Sequence, residues 1–207
     1  MNNSETTQNK EVDDFNEDFS KDQKKRDWPR QILSWICLVA VAFIIAFFIT
    51  SVIILKSKVV SSSMEQTLMV DDLIVGFRLS YLFSDPQRGD IILFDYPHDT
   101  DVIYVKRIIG LPGETVTIID GKVYIDDNET PLEEPYINGK MHEKYYCSGV
   151  IPDGCYFVMG DNRNRSADSR EWGFVPEDLI EAKAWMRFWP NITFFDHARY
   201  SIDGEEE

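Results

Sequence analysis

Histidine and cysteine are scarce in this chain, with three of each in 207 residues. His98, His142 and His197 lie far apart in polar surroundings and read as surface residues rather than as ligands or bases. No Cys/His spacing matches a zinc site, so neither a metal nor a cofactor is expected. Cys37 falls within an apolar run. Cys147 and Cys155 flank the turn-like run SGVIPDG, where a hairpin would let them face each other as a disulfide. Positive charge is also short: 21 Lys and Arg stand against 36 Asp and Glu, a net charge of −15. Such a balance excludes a nucleic-acid partner, which needs a basic footprint. It names no substrate, and solubility accounts for it. Internal repeats are absent.

One long apolar run is present. Ile32 to Leu55 holds 24 residues without a charge, Gly or Pro. A helix needs roughly 20 such residues to cross a bilayer, and the apolar core of a cleavable signal sequence spans only about 7–15. The run therefore reads as a permanent transmembrane anchor at 32–55. Lys21, Lys24, Lys25, Arg26 and Arg30 precede it, whereas only Lys56 and Lys58 follow closely. That asymmetry predicts a cytoplasmic N-terminus and an extracytoplasmic domain after Leu55. Residues 1–31 then form a cytoplasmic tail, with 1–27 too polar to bury a core and expected to be disordered. Residues 201–207 read as a solvated acidic tail. Ser63 follows Leu55 by eight residues, so an extended chain carries it at most roughly 28 Å from the span.

Between anchor and tail, residues 56–200 read as one mainly β domain. Short apolar runs at 73–77, 90–95, 102–109, 115–119, 122–125 and 155–159 alternate with turn signals, and Asp120-Gly121 marks a hairpin. The run EDLIEAKAWMR (177–187) has helical spacing. The expected fold is an antiparallel sheet sandwich or partly closed barrel.

Chemistry has few candidates. Ser61, Ser62 and Ser63 precede Met64 in a loop that composition alone would make a linker. Lys106 shares one strand face with Val102, Tyr104 and Ile108, so burial there would push its amine toward the neutral form. An edge-strand lysine that blocks aggregation is the other reading of the same residue. The polar run 160–173 reads as a tightly ordered surface loop.

Four blocks in order resemble the type I signal peptidases, in the small single-anchor form found in Gram-positive bacteria. They are SSSMEQTL (61–68), RGDIILF (88–94), YVKRIIGLPGE (104–114) and GDNRNRSADSREWG (160–173). The resemblance implies a Ser-Lys peptidase with Ser63 as nucleophile and Lys106 as general base. It also implies that Ser61 helps hold the oxyanion and Ser166 orients the lysine. Asp168 and Arg170 would form a supporting ion pair, with Met64, Asp161, Asn162 and Arg163 structural near the site. The implied partners are exported preproteins, cut after small residues at the first and third positions before the scissile bond, and the lipid bilayer. Tyr81, Phe83, Phe188 and Trp189 are candidates for the bilayer interface or for the core. Two departures stand out: Gln66 occupies the family's usual Pro position, and Ser62 replaces a common Gly or acidic residue. An inactive tethered adaptor and a self-cleaving Ser-Lys protease are the competing readings.

Overall fold

The computed structural model describes residues 28–126, 128–137 and 139–195. The predicted tails at 1–27 and 201–207, and His197, lie outside the described residues. Trp28–Ile53 forms a helix, α1, exposed along its length and long enough to cross a membrane. The apolar run and the helix do not coincide at the far end. Ile54 and Leu55, read as the last residues of the anchor, pair instead with Phe77 and Gly76. The physical reason is a ladder partner that only the folded domain supplies.

The domain is built from antiparallel strands. In chain order they are β1 (Ile54–Lys58), β2 (Leu73–Phe77), β3 (Ile91–Tyr96), β4 (Asp99–Gly110), β5 (Thr115–Ile119) and β6 (Lys122–Ile125). After them come β7 (Tyr145–Val150), β8 (Cys155–Met159), β9 (Val175–Pro176), β10 (Ile180–Trp189) and β11 (Thr193–Phe194). The large sheet runs β1-β2-β10-β3-β4-β8-β9, with β11 on β10, and a smaller sheet runs β6-β5-β7. The large sheet stays open at β1 and β9, so it does not close into a barrel. Strand β3 shows why both its faces are covered. Ile91 and Leu93 enter one apolar cluster, with Met64 and Leu68, while Ile92 and Phe94 enter another, with Ile108 and Val158. An unbroken apolar run is what a strand buried on both faces requires. The small sheet packs its Val116, Ile118, Val123 and Ile125 against Ile109, Phe157 and Met159. Asp120 (φ 48°) and Gly121 (φ 79°) make the predicted hairpin turn, with both residues in the left-handed region.

Two expectations are overturned. Residues 177–187 are not helical: a single 3-10 turn at Glu177–Leu179 leads into β10, which pairs with both β2 and β3. Ala182 and Ala184 are buried there at a period of two, against Gly76 and Leu93. Good helix formers thus lie in a strand because tertiary pairing outweighs propensity. The Cys147–Cys155 disulfide is also absent, and both thiols are free. Their strands do not form a hairpin, since β7 pairs with β5 in one sheet and β8 with β4 and β9 in the other. Buried Ile151, bonded through its backbone to Gly113 and Glu114, anchors the connection between them.

Candidate active site

Ser63 lies in a 3-10 turn, Ser62–Met64, between β1 and β2. The turn is held from below by Met64 and Leu68, which are fully buried among Ile74, Leu93 and Ala184. It is held from the side by the 160–173 block. The Asn162 backbone N–H donates to the Ser63 carbonyl at 2.9 Å, and the Asn162 carboxamide donates to the Ser62 carbonyl and to Glu65. Gly160 is needed for this approach. A Cβ there would stand 2.4 Å from the Ser63 carbonyl oxygen and 2.3 Å from Ser166 Oγ.

Against this turn, β4 sets Lys106 with Nζ donating to Ser63 Oγ at 2.7 Å. Both side chains are buried, at 4% and 7% exposure for Lys106 and Ser63. Burial lowers the Lys106 pKa to about 8, a shift that the carboxylates of Asp168 and Asp161 only partly offset. The Tyr104 ring lies 5.4 Å from the amine. Ser61 Oγ is 3.2 Å from Ser63 Oγ. A cleft of about 310 Å³ opens onto these groups, lined by residues 57–61, 63–64 and 102–106 with Arg165 and Ala167. An amine whose pKa is lowered toward neutrality, beside a buried hydroxyl, can accept that hydroxyl's proton, which is the chemistry of an activated serine.

The predicted supporting residues divide. Asp168, fully buried, caps a short helix, α2 (Ser169–Trp172), and pairs with Arg170 at 2.8 Å. It also accepts from the Gly160 N–H. Asp161 pairs with Arg107 at 2.7 Å. Arg163 pairs with Glu134, donates to the Gly160 carbonyl, and lies near the Tyr136 ring. Ser166 Oγ is buried and has no hydrogen-bond partner among the described residues, so no bond joins it to Lys106 here. Sequence reasoning did not find Thr67, which donates to Asp161, nor Arg107, nor Glu134, nor Tyr136, whose ring lies 3.9 Å from the Arg107 guanidinium. Arg107 had a signal, being the neighbour of Lys106 in its block. Glu134 had none, since it sits in a polar run without periodicity. The block at 88–94 proves structural, with Arg88 paired to Glu114 and bonded to the Ile109 carbonyl.

Gln66 takes φ 96° after Glu65 at φ −55°, ψ 138°, which is a type II turn. Proline, locked near φ −65°, does not fit that position. Gln66→Gly is expected to stabilise the domain by about 1 kcal/mol and Gln66→Pro to destabilise it. Thermal melts of the purified variants check this, and a neutral Pro variant would mean the turn is not the one described.

A family model described as signal peptidase, peptidase S26, matches residues 32–189. The chain belongs to the signal peptidase family. A probable signal peptidase I-2 of a Synechocystis strain is 38% identical over 178 residues, with 81% of this chain and 78% of that protein covered. Signal peptidase I of Leptolyngbya laminosa is also 38% identical, with coverages of 81% and 84%. Signal peptidase IB of Staphylococcus aureus is 32% identical over 193 residues, with coverages of 85% and 97%. A crystal structure of a signal peptidase I from Enterococcus faecalis is 38% identical, covers 48% of this chain and 97% of its own, and has a TM-score of 0.43. Family membership makes the chain an enzyme that hydrolyses peptide bonds.

Proposed function

We propose that this chain is a membrane-anchored serine endopeptidase that removes N-terminal signal peptides from exported preproteins, with Ser63 as nucleophile and Lys106 as general base. The observation that carries the reading is the 2.7 Å contact between Lys106 Nζ and Ser63 Oγ in a buried site that lowers the pKa of the amine. With the amine neutral, the same contact runs the other way. Ser63 donates its proton to Lys106 as Oγ bonds to the scissile carbonyl carbon. The oxyanion is held by the Ser63 N–H and the Ser61 hydroxyl, and one such donor is typically worth ~3 kcal/mol of barrier. Lys106 then protonates the leaving amine. A water gives its proton to Lys106 and attacks the ester carbon. The bond to Ser63 Oγ breaks, Oγ takes the proton back from Lys106, and the signal peptide leaves as an acid that ionises to its carboxylate. Ser166 Oγ, a buried acceptor pressed against Gly160 beside the Ser63 carbonyl, is suited to take a bond from the lysine ammonium or from that water.

The substrate reading follows from two strand edges. β4 pairs with β8 only from Arg107 onward, so among the described residues the same edge is unpaired up to Lys106. The β1 edge is open too, and both border the cleft. An extended peptide laid there would add its backbone to an edge and send alternate side chains inward, matching a preference for small residues at the first and third positions. The exposed Phe83, Trp185, Trp189, Ile192 and Phe194 suit a bilayer interface. Tyr81 does not join them, because its hydroxyl donates to Asp90 at 2.9 Å.

Incubating the detergent-solubilised full chain with a preprotein, and sequencing the product N-terminus, tests the activity. One new N-terminus directly after the signal peptide is expected, and no cleavage would defeat the reading. Activity should also rise with pH. The working form is the neutral amine, so kcat/KM climbs about tenfold per pH unit below about 8 and levels off above it. A profile flat from pH 6 to 9 would remove Lys106 as the base. For orientation, protease added outside intact protoplasts should digest the domain after Lys56, whereas protection would reverse the proposed topology.

A further inference from the structure

We propose that Arg165 is a specificity-determining residue that recognises a carboxylate of the bound peptide within three positions of the scissile bond, an inference that rests on the peptidase reading above. Nearby arginines are all committed: Arg107 to Asp161, Arg163 to Glu134 and Arg170 to Asp168. Arg165 is exposed, and its guanidinium has no hydrogen-bond or ion-pair partner among the described residues. It lines the cleft beside Ser63 and Lys106.

The charge of the cleft runs against that of the chain. Among the described residues no Asp or Glu lines it, and its ionisable side chains are Lys58, Lys106, Arg165 and Tyr104. Lys58 is held by Asp71 at 2.8 Å, and Lys106 is largely desolvated. Among the described residues Arg165 is therefore the lining cation without a hydrogen-bond or ion-pair partner that stays exposed to the groove. Its position ties it to the scissile bond. Its own N–H bonds the carbonyl of Asn162, whose N–H bonds the carbonyl of Ser63. An extended peptide advances about 3.3 Å per residue, so a guanidinium anchored there reaches only the few side chains nearest the reacting carbonyl. A peptide carboxylate meets it as a bidentate partner without facing a like charge in the groove. A lipid phosphate would have to enter the same groove to reach Arg165.

The experiment uses the full chain in neutral detergent and a set of matched peptides. Each carries Glu or Gln at one position: the second before the scissile bond, or the first, second or third after it. At one of these, wild type is expected to prefer Glu by about fivefold in kcat/KM, the scale of a partly exposed ion pair, with the preference shrinking as salt rises. Arg165→Gln should bring the Glu/Gln ratio to one, and Arg165→Glu should turn the preference toward Gln. A ratio near one at every position in wild type, or a variant that slows Glu and Gln peptides equally, overturns the role. So does a preference that appears only when phosphatidylglycerol vesicles are added, because the ligand is then a lipid phosphate. If wild type cuts none of the peptides, or Ser63→Ala cuts as well as wild type, the peptidase reading has failed and this inference with it. An active enzyme with equal ratios removes Arg165 alone.

Discussion

Lys106→Met is expected to lower kcat/KM for preprotein cleavage by about 10⁴–10⁶-fold, and Ser63→Ala by a similar factor. Groups that act as one unit lose nearly everything when either is removed, and what survives comes from the oxyanion donors and binding. Methionine keeps the length and most of the volume of the lysine stem, so β4 should hold its register between β3 and β8. The same substitution should raise stability. In the folded protein the Lys106 pKa falls from 10.5 to about 8, so the folded state binds fewer protons than the unfolded chain between those values. Stability attributable to this group therefore rises with pH across that window, and the full cost is present below about 8. A shift of that size corresponds to about 3 kcal/mol at pH 7, which Lys106→Met would recover in part. Lost activity with a higher melting temperature is the signature of a functional amine held against its solvation. Loss of activity with a lower melting temperature would point instead to misfolding, and activity within tenfold of wild type would end the Ser-Lys mechanism.

Asp161→Ala should be the most destabilising single change outside the core. Its carboxylate is almost fully buried and receives two bonds from Arg107, at 2.7 and 2.9 Å, and one from Thr67. Truncation removes the Asp161 carboxylate from a guanidinium at 5% exposure, at a cost of about 3–5 kcal/mol. For a domain of this size that corresponds to a fall in melting temperature of about 6–20 °C. Activity should drop too, since the Asn162 N–H that fixes the Ser63 carbonyl is the next residue in the chain. Pairing the change with Arg107→Met should restore most of the stability, because the buried positive charge leaves with it. A melting temperature within 2 °C of wild type for Asp161→Ala would show that the pair contributes little.

Legibility in the sequence varied with how local each signal was. Strands β2, β5, β6 and β8 were bounded correctly by alternating apolar residues and turn chemistry at Asp120-Gly121 and Pro152-Asp153-Gly154. β10 was misread because Glu, Ala, Lys and Met favour helices in isolation, whereas its conformation is set by two ladders whose partners lie far away in the chain. The disulfide reading failed for a related reason. Proximity along SGVIPDG suggested a hairpin, but the two flanking strands were drawn into separate sheets.

From the sequence alone came one long apolar run, the acidic balance, the β period, and the four blocks that carry Ser63, Lys106 and the 160–173 loop. Each of these is local: a run of apolar side chains, a count of charges, a spacing within one segment. Only the tertiary structure decided that Ser63 and Lys106, 43 positions apart, meet at 2.7 Å. It alone set the desolvation of the amine, the pairing of Arg163 with Glu134, the glycine requirement at position 160, and the place of Arg165 in the lining of the cleft. Those properties depend on which segments pack together, and burial and countercharge are properties of a packed neighbourhood that no single stretch of chain contains.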